Sequence, residues 1–156
     1  ADGTLKALVY DGALHHLIDY ESAVREAHRT LQPGGQMILF EPVSSMFSRT
    51  VHRLLDPIVF EEVEYESPID QEYKDHFRED KVIATLKQLG MKYTYRRTDF
   101  LAYPLTGCYA GSIFSRWPGF MLFLLRIEKI CEKVPLLKQL ASFLSWRFLL
   151  VAEKPC

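Results

Sequence analysis

The clearest rhythm of apolar and polar positions lies between Leu5 and Pro42. Leu5 to Tyr10 is a short apolar run with Lys6 as its only charge, a pattern that suits a strand buried on both faces. Gly12 breaks the run. After Asp19, a good N-cap, the apolar residues Ala23, Val24, Ala27 and Leu31 recur on one helical stripe. Glu21 near the start of this helix, and Arg25 and Arg29 towards its end, complement the helix dipole. Glu21 and Arg25 also stand at ion-pair spacing. Pro33-Gly34-Gly35 is expected to stop the helix, because proline cannot continue the hydrogen-bond ladder and glycine takes positive φ at low cost. Gln36 to Phe40 then reads as a second buried strand, closed by Pro42. Strand, helix and strand in this order predict a right-handed βαβ crossover with two parallel strands.

Beyond Pro42 the pattern predicts further elements. A helix starts at the caps Ser44 and Ser45 and carries the stripe Phe47, Val51, Leu54 and Leu55. It presents Arg49, His52 and Arg53 on its other face and ends at Pro57. Val59 to Asp80 is acidic and irregular, and Tyr65, Tyr73 and His76 within it are acceptor-pocket candidates. Asp80 to Leu89 is a helix stopped by Gly90. Met91 to Phe100 alternates, with Met91, Tyr93 and Tyr95 on one side and Lys92, Thr94 and Arg96 on the other, as in a strand near a sheet edge. Ala102 to Phe114 is a loop. Arg116 to Val134 and Leu136 to Leu144 are helices that either pack on the domain or form a lid or interfacial element, with Trp117, Phe120, Phe123 and Trp146 exposed in the second case. Trp146 to Glu153 is the last strand.

Composition narrows the function. A chain of 156 residues with 48% hydrophobic content supports one core. A net charge of -1 gives no electrostatic case for nucleic acid. Cys108, Cys131 and Cys156 are odd in number and lack metal spacing, which points to free thiols in a reducing, cytoplasmic compartment and to no metal site. The apolar run from Phe120 to Leu125 is far short of the roughly 20 residues a membrane span needs.

In an open parallel sheet, ligands bind beyond the carboxyl ends of the strands. The first strand ends in Asp11, Gly12, Ala13, His15 and His16, and the second ends at Glu41, so these groups should share one rim. The alternative is that Asp11 and Gly12 turn the chain, the histidines cap or pack, and Glu41 is solvated.

The segment from Leu8 to Pro42 resembles the central part of class I S-adenosylmethionine-dependent methyltransferases (type 11, UbiE-like). The residues that carry the resemblance are Leu14-His15-His16, Arg29-Thr30-Leu31-Gln32-Pro33-Gly34-Gly35 and Met37 to Phe40. Lys6 departs from the pattern, which often places Asp near the start of this strand. The family's glycine-rich cofactor loop has no counterpart, since no three glycines here make a G-x-G-x-x-G. The resemblance therefore implies an α/β fold, the C-terminal portion of a Rossmann-like methyltransferase, entered just before its fourth strand. Residues 1–156 would be a single partial domain. Within it, 1–42 is the strand–helix–strand core, and 43–101 holds the substrate-side helix, acidic loop, helix and strand. The helical lid or insertion is 102–145, and 146–156 is a final antiparallel strand.

The same resemblance implies methyl transfer from S-adenosylmethionine to a small-molecule, apolar or lipid-like acceptor. Asp11, Ala13 and His16 would lie beside the cofactor, and His15 would be a base facing the acceptor. Glu41 would either orient the acceptor or close its strand. The main adenosine contacts would lie upstream, leaving this polypeptide inactive alone. A non-catalytic, methyltransferase-like binding module is the alternative. A further one is a peripheral membrane module using residues 117–146.

Overall fold

A computed structural model describes residues 2–43, 50, 77–103 and 117–156. The helix expected from Ser44 to Pro57, apart from Thr50, the acidic stretch as far as His76 with Tyr65 and Tyr73, and the segment from Pro104 to Phe114 with Cys108 lie outside the described residues. The chain gathers into two compact units. Among the described residues, the first holds 2–43, 77–96 and 148–156, and the second holds 50, 97–103 and 117–147.

The elements are β1 (Leu5–Asp11), a 3₁₀ turn (Leu14–His16), α1 (Tyr20–Thr30), β2 (Leu31–Pro42), α2 (Glu79–Gln88), β3 (Lys92–Thr98), α3 (Pro118–Cys131), α4 (Pro135–Leu144) and β4 (Arg147–Glu153). The strands form one mixed sheet in the order β1-β2-β4-β3. β1 and β2 run parallel, in register from Ala7 opposite Gln36 to Asp11 opposite Phe40. Gly34 N–H donates to the Lys154 carbonyl at 3.0 Å, and Lys154 N–H donates to the Gly35 carbonyl at 2.9 Å. These bonds set the end of β4 against the start of β2, so the two strands are antiparallel. Trp146 N–H likewise donates to the Asp99 carbonyl, joining the start of β4 to the end of β3.

Helix α1 begins where the sequence places it. The Asp19 carboxylate accepts from Ser22 N–H at 2.9 Å and from the Ser22 hydroxyl at 2.6 Å, and these bonds hold its carboxyl below the usual range. The buried stripe is Tyr20, Val24 and Ala27. At the other end, the Lys154 ammonium donates to the carbonyls of His28 and Leu31 at 2.8 and 2.7 Å, placing a cation where the dipole is negative. Burial, and then the nearby Lys154, push the His28 imidazole down. The expected pairing of Glu21 with Arg25 gives way to contacts with the neighbouring α2. Arg25 bonds Gln88 at 2.7 Å, while Glu21 lies 3.8 Å from Lys81 and accepts from the Thr85 hydroxyl.

The core of the first unit is built on period two. Leu31, Met37 and Leu39 of β2 meet Phe148, Leu150 and Ala152 of β4, with Val24, Val82, Leu86 and Phe77 packed among them. The Phe148 ring stacks on Phe77 at 6.3 Å and on Tyr95 at 5.7 Å between centroids. β3 keeps the expected alternation, with Tyr93 and Tyr95 half-buried and Lys92, Thr94 and Arg96 exposed.

Two expectations for the first crossover are corrected. β1 is not buried on both faces: Leu8 and Tyr10 pack on the core, but Val9 is 60% exposed and Leu5 is also exposed. Among the described residues, the apolar core covers only the face of β1 that carries Leu8 and Tyr10. The helix also stops earlier than Pro33-Gly34-Gly35. α1 ends at Thr30, and β2 begins at Leu31, which pairs with Leu5 while Gln36 pairs with Ala7. Two steps along β1 thus match five along β2, and Pro33-Gly34-Gly35 sits in the resulting irregularity.

Gly35 is pinned there. A Cβ at this position would lie 2.8 Å from the Gln32 carbonyl oxygen and 3.0 Å from that of Leu5, both backbone atoms. Gly35→Ala is therefore expected to lower unfolding stability by about 1–3 kcal/mol in urea titrations. Gly119→Ala in α3, where the added carbon meets nothing within 4 Å among the described residues, should cause no loss. Equal stability of the two variants would disprove the close approach.

In the second unit, α3 and α4 each open on a proline at the first turn, where the missing N–H is harmless. The Glu128 carboxylate, on the inner side of α3, accepts from the N–H groups of Leu101 and Ala102 at 2.7 and 2.9 Å. The Arg147 guanidinium lies 4.8 Å from the centre of the Tyr103 ring. Trp146, expected among the exposed aromatics of a lid, is instead buried.

Candidate functional site

The parallel pairing brings the ends of β1 and β2 to one rim, and Gly12 N–H donates to the Phe40 carbonyl at 2.9 Å. Gly12 has φ +60°, a left-handed turn that lets the chain leave β1 and enter the 3₁₀ turn at Leu14. The sequence beyond Leu39 then places one residue of consequence. Met37, Leu39 and Val43 are buried, and Glu41, in phase with them, is fully buried as well. A carboxylate so placed is costly unless donors surround it.

Three donors do. Glu41 Oε1 accepts from Ala13 N–H at 3.0 Å and Leu14 N–H at 2.7 Å, and Oε2 lies 2.7 Å from His15 Nδ1. The carboxylate therefore fixes the turn and the imidazole together. Because an ionised carboxylate only accepts, the bonding assigns a proton to His15 Nδ1 and, in the neutral ring, leaves the lone pair on Nε2. His15 is itself 8% exposed. Its ring lies 4.1 Å from the His16 ring and meets Phe77 edge-on at 6.2 Å. Burial, with Glu26 and Glu41 adding to it, pushes the Tyr10 phenol up, so Tyr10 stays protonated across the neutral range.

Five of the residues singled out in the sequence, Asp11, Ala13, His15, His16 and Glu41, stand at this end of the two strands. Asp11 is exposed at the tip of β1, opposite Phe40. Ala13 is exposed, but its N–H serves Glu41 and its carbonyl accepts from His16 N–H at 3.3 Å. His15 and Glu41 form the buried pair, and His16 is half-buried beside them. Tyr65, Tyr73 and His76 lie outside the described residues. Sequence reasoning left open whether Glu41 is solvated; it is not. The alternation Met37, Leu39, Glu41, Val43 carried that signal. Among the described residues no cluster of three or more His, Cys, Asp or Glu could hold a metal ion.

Residues 1–39 match the family model described as a methyltransferase domain. No curated protein gives a significant sequence match. Among solved structures, a Galdieria sulphuraria protein described as a sarcosine dimethylglycine methyltransferase aligns with a TM-score of 0.50 and 15% identity, over 99% of this chain and 54% of that one. A Bacillus halodurans protein described as a methyltransferase aligns with a TM-score of 0.49 and 17% identity, over 100% of this chain and 67% of its own. YcgJ from Bacillus subtilis aligns with a TM-score of 0.49 and 17% identity, over 99% of this chain and 66% of its own. The likeness concerns the fold, and the chain spans about half to two thirds of these proteins.

Proposed function

We propose that this chain is the C-terminal portion of a methyltransferase that moves a methyl group from S-adenosylmethionine to a small-molecule acceptor at the rim formed by Asp11 to His16 and Glu41. The observation that carries the reading is the 2.7 Å contact between His15 Nδ1 and the buried Glu41 at the shared ends of two parallel strands. The order β1-β2-β4-β3, with β4 antiparallel to β2, supports the assignment to the closing half of such a sheet.

The residues present fit one end of the cofactor. Asp11 offers a carboxylate to an ammonium group, and Ala13 and His16 flank the turn. Among the described residues, a Cβ on Gly12 would meet only the His15 ring, at 4.0 Å. Nothing in the sequence supplies the glycine-rich turn that an adenosine moiety needs. The cofactor, when bound, supplies an electrophilic methyl group on a sulfonium.

The chain's own part is orientation and proton removal. Glu41 holds the His15 ring in one tautomer, and Nε2 accepts the proton that a hydroxyl or amine acceptor loses on methylation. Calorimetry with S-adenosylmethionine should show tight binding only for a longer protein that adds a glycine-rich loop. Micromolar binding by these 156 residues would overturn this division of contacts.

A second reading draws support from the burial of His15. Glu41 and His15 would then be a structural clamp on the 3₁₀ turn, within a domain that binds without catalysis. In the longer protein, His15→Gln separates the two. A fall in kcat of about 10²-fold or more with unfolding stability unchanged marks a base, and a fall in stability with kcat retained marks a clamp.

A further inference from the structure

The outer face of the α3–α4 hairpin is apolar and open. Trp117, Leu122, Phe123, Ile130, Leu136 and Leu140 are between 55% and 76% exposed. The reason is visible in the inner stripe. α3 turns Leu124 and Glu128 inward, and α4 turns only Ala141 inward, so most of the large apolar side chains are left outside. A face of this kind is unusual on a protein surface unless something covers it.

Charge says what. Arg126, Lys129, Lys133 and Lys138 on the same two helices and their connection are exposed. Of the two acids in this stretch, Glu128 is buried on the N–H groups of Leu101 and Ala102, which leaves Glu132 as the exposed one. The hairpin is thus locally cationic within a chain of net charge -1. At 14 and 10 residues, its helices are too short to cross a bilayer, and no helix among the described residues is long and apolar enough to do so. Short helices that combine exposed apolar residues with basic ones suit the plane of an anionic membrane interface. We propose that the outer face of α3 and α4 docks on an anionic lipid surface. The proposal does not depend on the methyl-transfer reading.

The test is co-sedimentation of the whole chain with phosphatidylcholine vesicles, with and without about 30% phosphatidylserine. Binding should be at least about tenfold stronger to the anionic vesicles and should weaken as salt rises. Trp146 is buried and Trp117 is 69% exposed, so a blue shift of tryptophan emission on binding would report Trp117 entering an apolar medium. Leu136→Glu should reduce vesicle binding about tenfold or more with helix content unchanged. Should that variant lose helix content, Lys129→Glu with Lys133→Glu replaces it, since both side chains are exposed, and should abolish the preference for anionic vesicles. Equal binding to neutral and anionic vesicles, binding to neither, or a dimer by light scattering that covers the face and excludes lipid would each overturn the proposal.

Discussion

Glu41→Ala is expected to lower unfolding stability by about 3–5 kcal/mol, and Glu41→Gln to lose far less while disabling His15. Alanine strands three donors at once: the part-buried N–H of Ala13, and the buried Leu14 N–H and His15 Nδ1. Each unsatisfied buried donor costs about 1–3 kcal/mol. Glutamine fills the same volume, and its amide oxygen can still accept from Ala13 and Leu14. Its amide nitrogen then faces His15 Nδ1 as a donor, so Nδ1 must accept and the ring proton moves to Nε2. The proposed base is thereby silenced without a cavity. Urea unfolding measures the first effect, and nitrogen chemical shifts of the His15 ring measure the second. In the longer protein, the glutamine variant should lose about 10²- to 10⁴-fold in rate. An alanine variant as stable as the parent would mean that the carboxylate does not hold the turn.

The second large effect belongs to Phe148. Its side chain is fully buried on the inner face of β4, against the rings of Phe77 and Tyr95. Phe148→Ala removes that packing and leaves a cavity between elements that cannot all collapse into it. A loss of about 3–5 kcal/mol is expected, which in a chain of this size shifts the midpoint of thermal unfolding by on the order of 10 °C. Leu136→Ala, at a position 76% exposed, should stay within about 0.5 kcal/mol. A small shift for Phe148→Ala in circular-dichroism melts would mean that the stacked rings are not the centre of this core.

What could be read from the sequence was local. The cap at Asp19, the stripe of α1, the alternation in β3 and the two helices after Trp117 follow from spacing between near neighbours, and all four are present. The parallel sense of β1 and β2 followed from the length of the crossover. What escaped depends on residues far apart in the chain. Val9 looked buried because its neighbours are apolar, yet its exposure is set by which strands flank β1 and what covers each face. Trp146 was grouped with the hairpin aromatics by proximity in sequence, although its N–H bonds Asp99 and its side chain is buried. Glu41 was half legible. A run read as apolar on both sides hides its phase, and only the phase shows that Glu41 points the same way as Leu39 and Val43.

The place of β4 has a consequence for how the protein comes into being. It is the last of the four strands in chain order, yet it stands between β2 and β3. Until Arg147 to Glu153 emerge, each of those earlier strands has a bare flank and no partner to share. Their union must wait for a contact that spans more than a hundred residues, from Gly34 to Lys154. A nascent or interrupted chain would therefore be the form most prone to stray pairing and most in need of a chaperone.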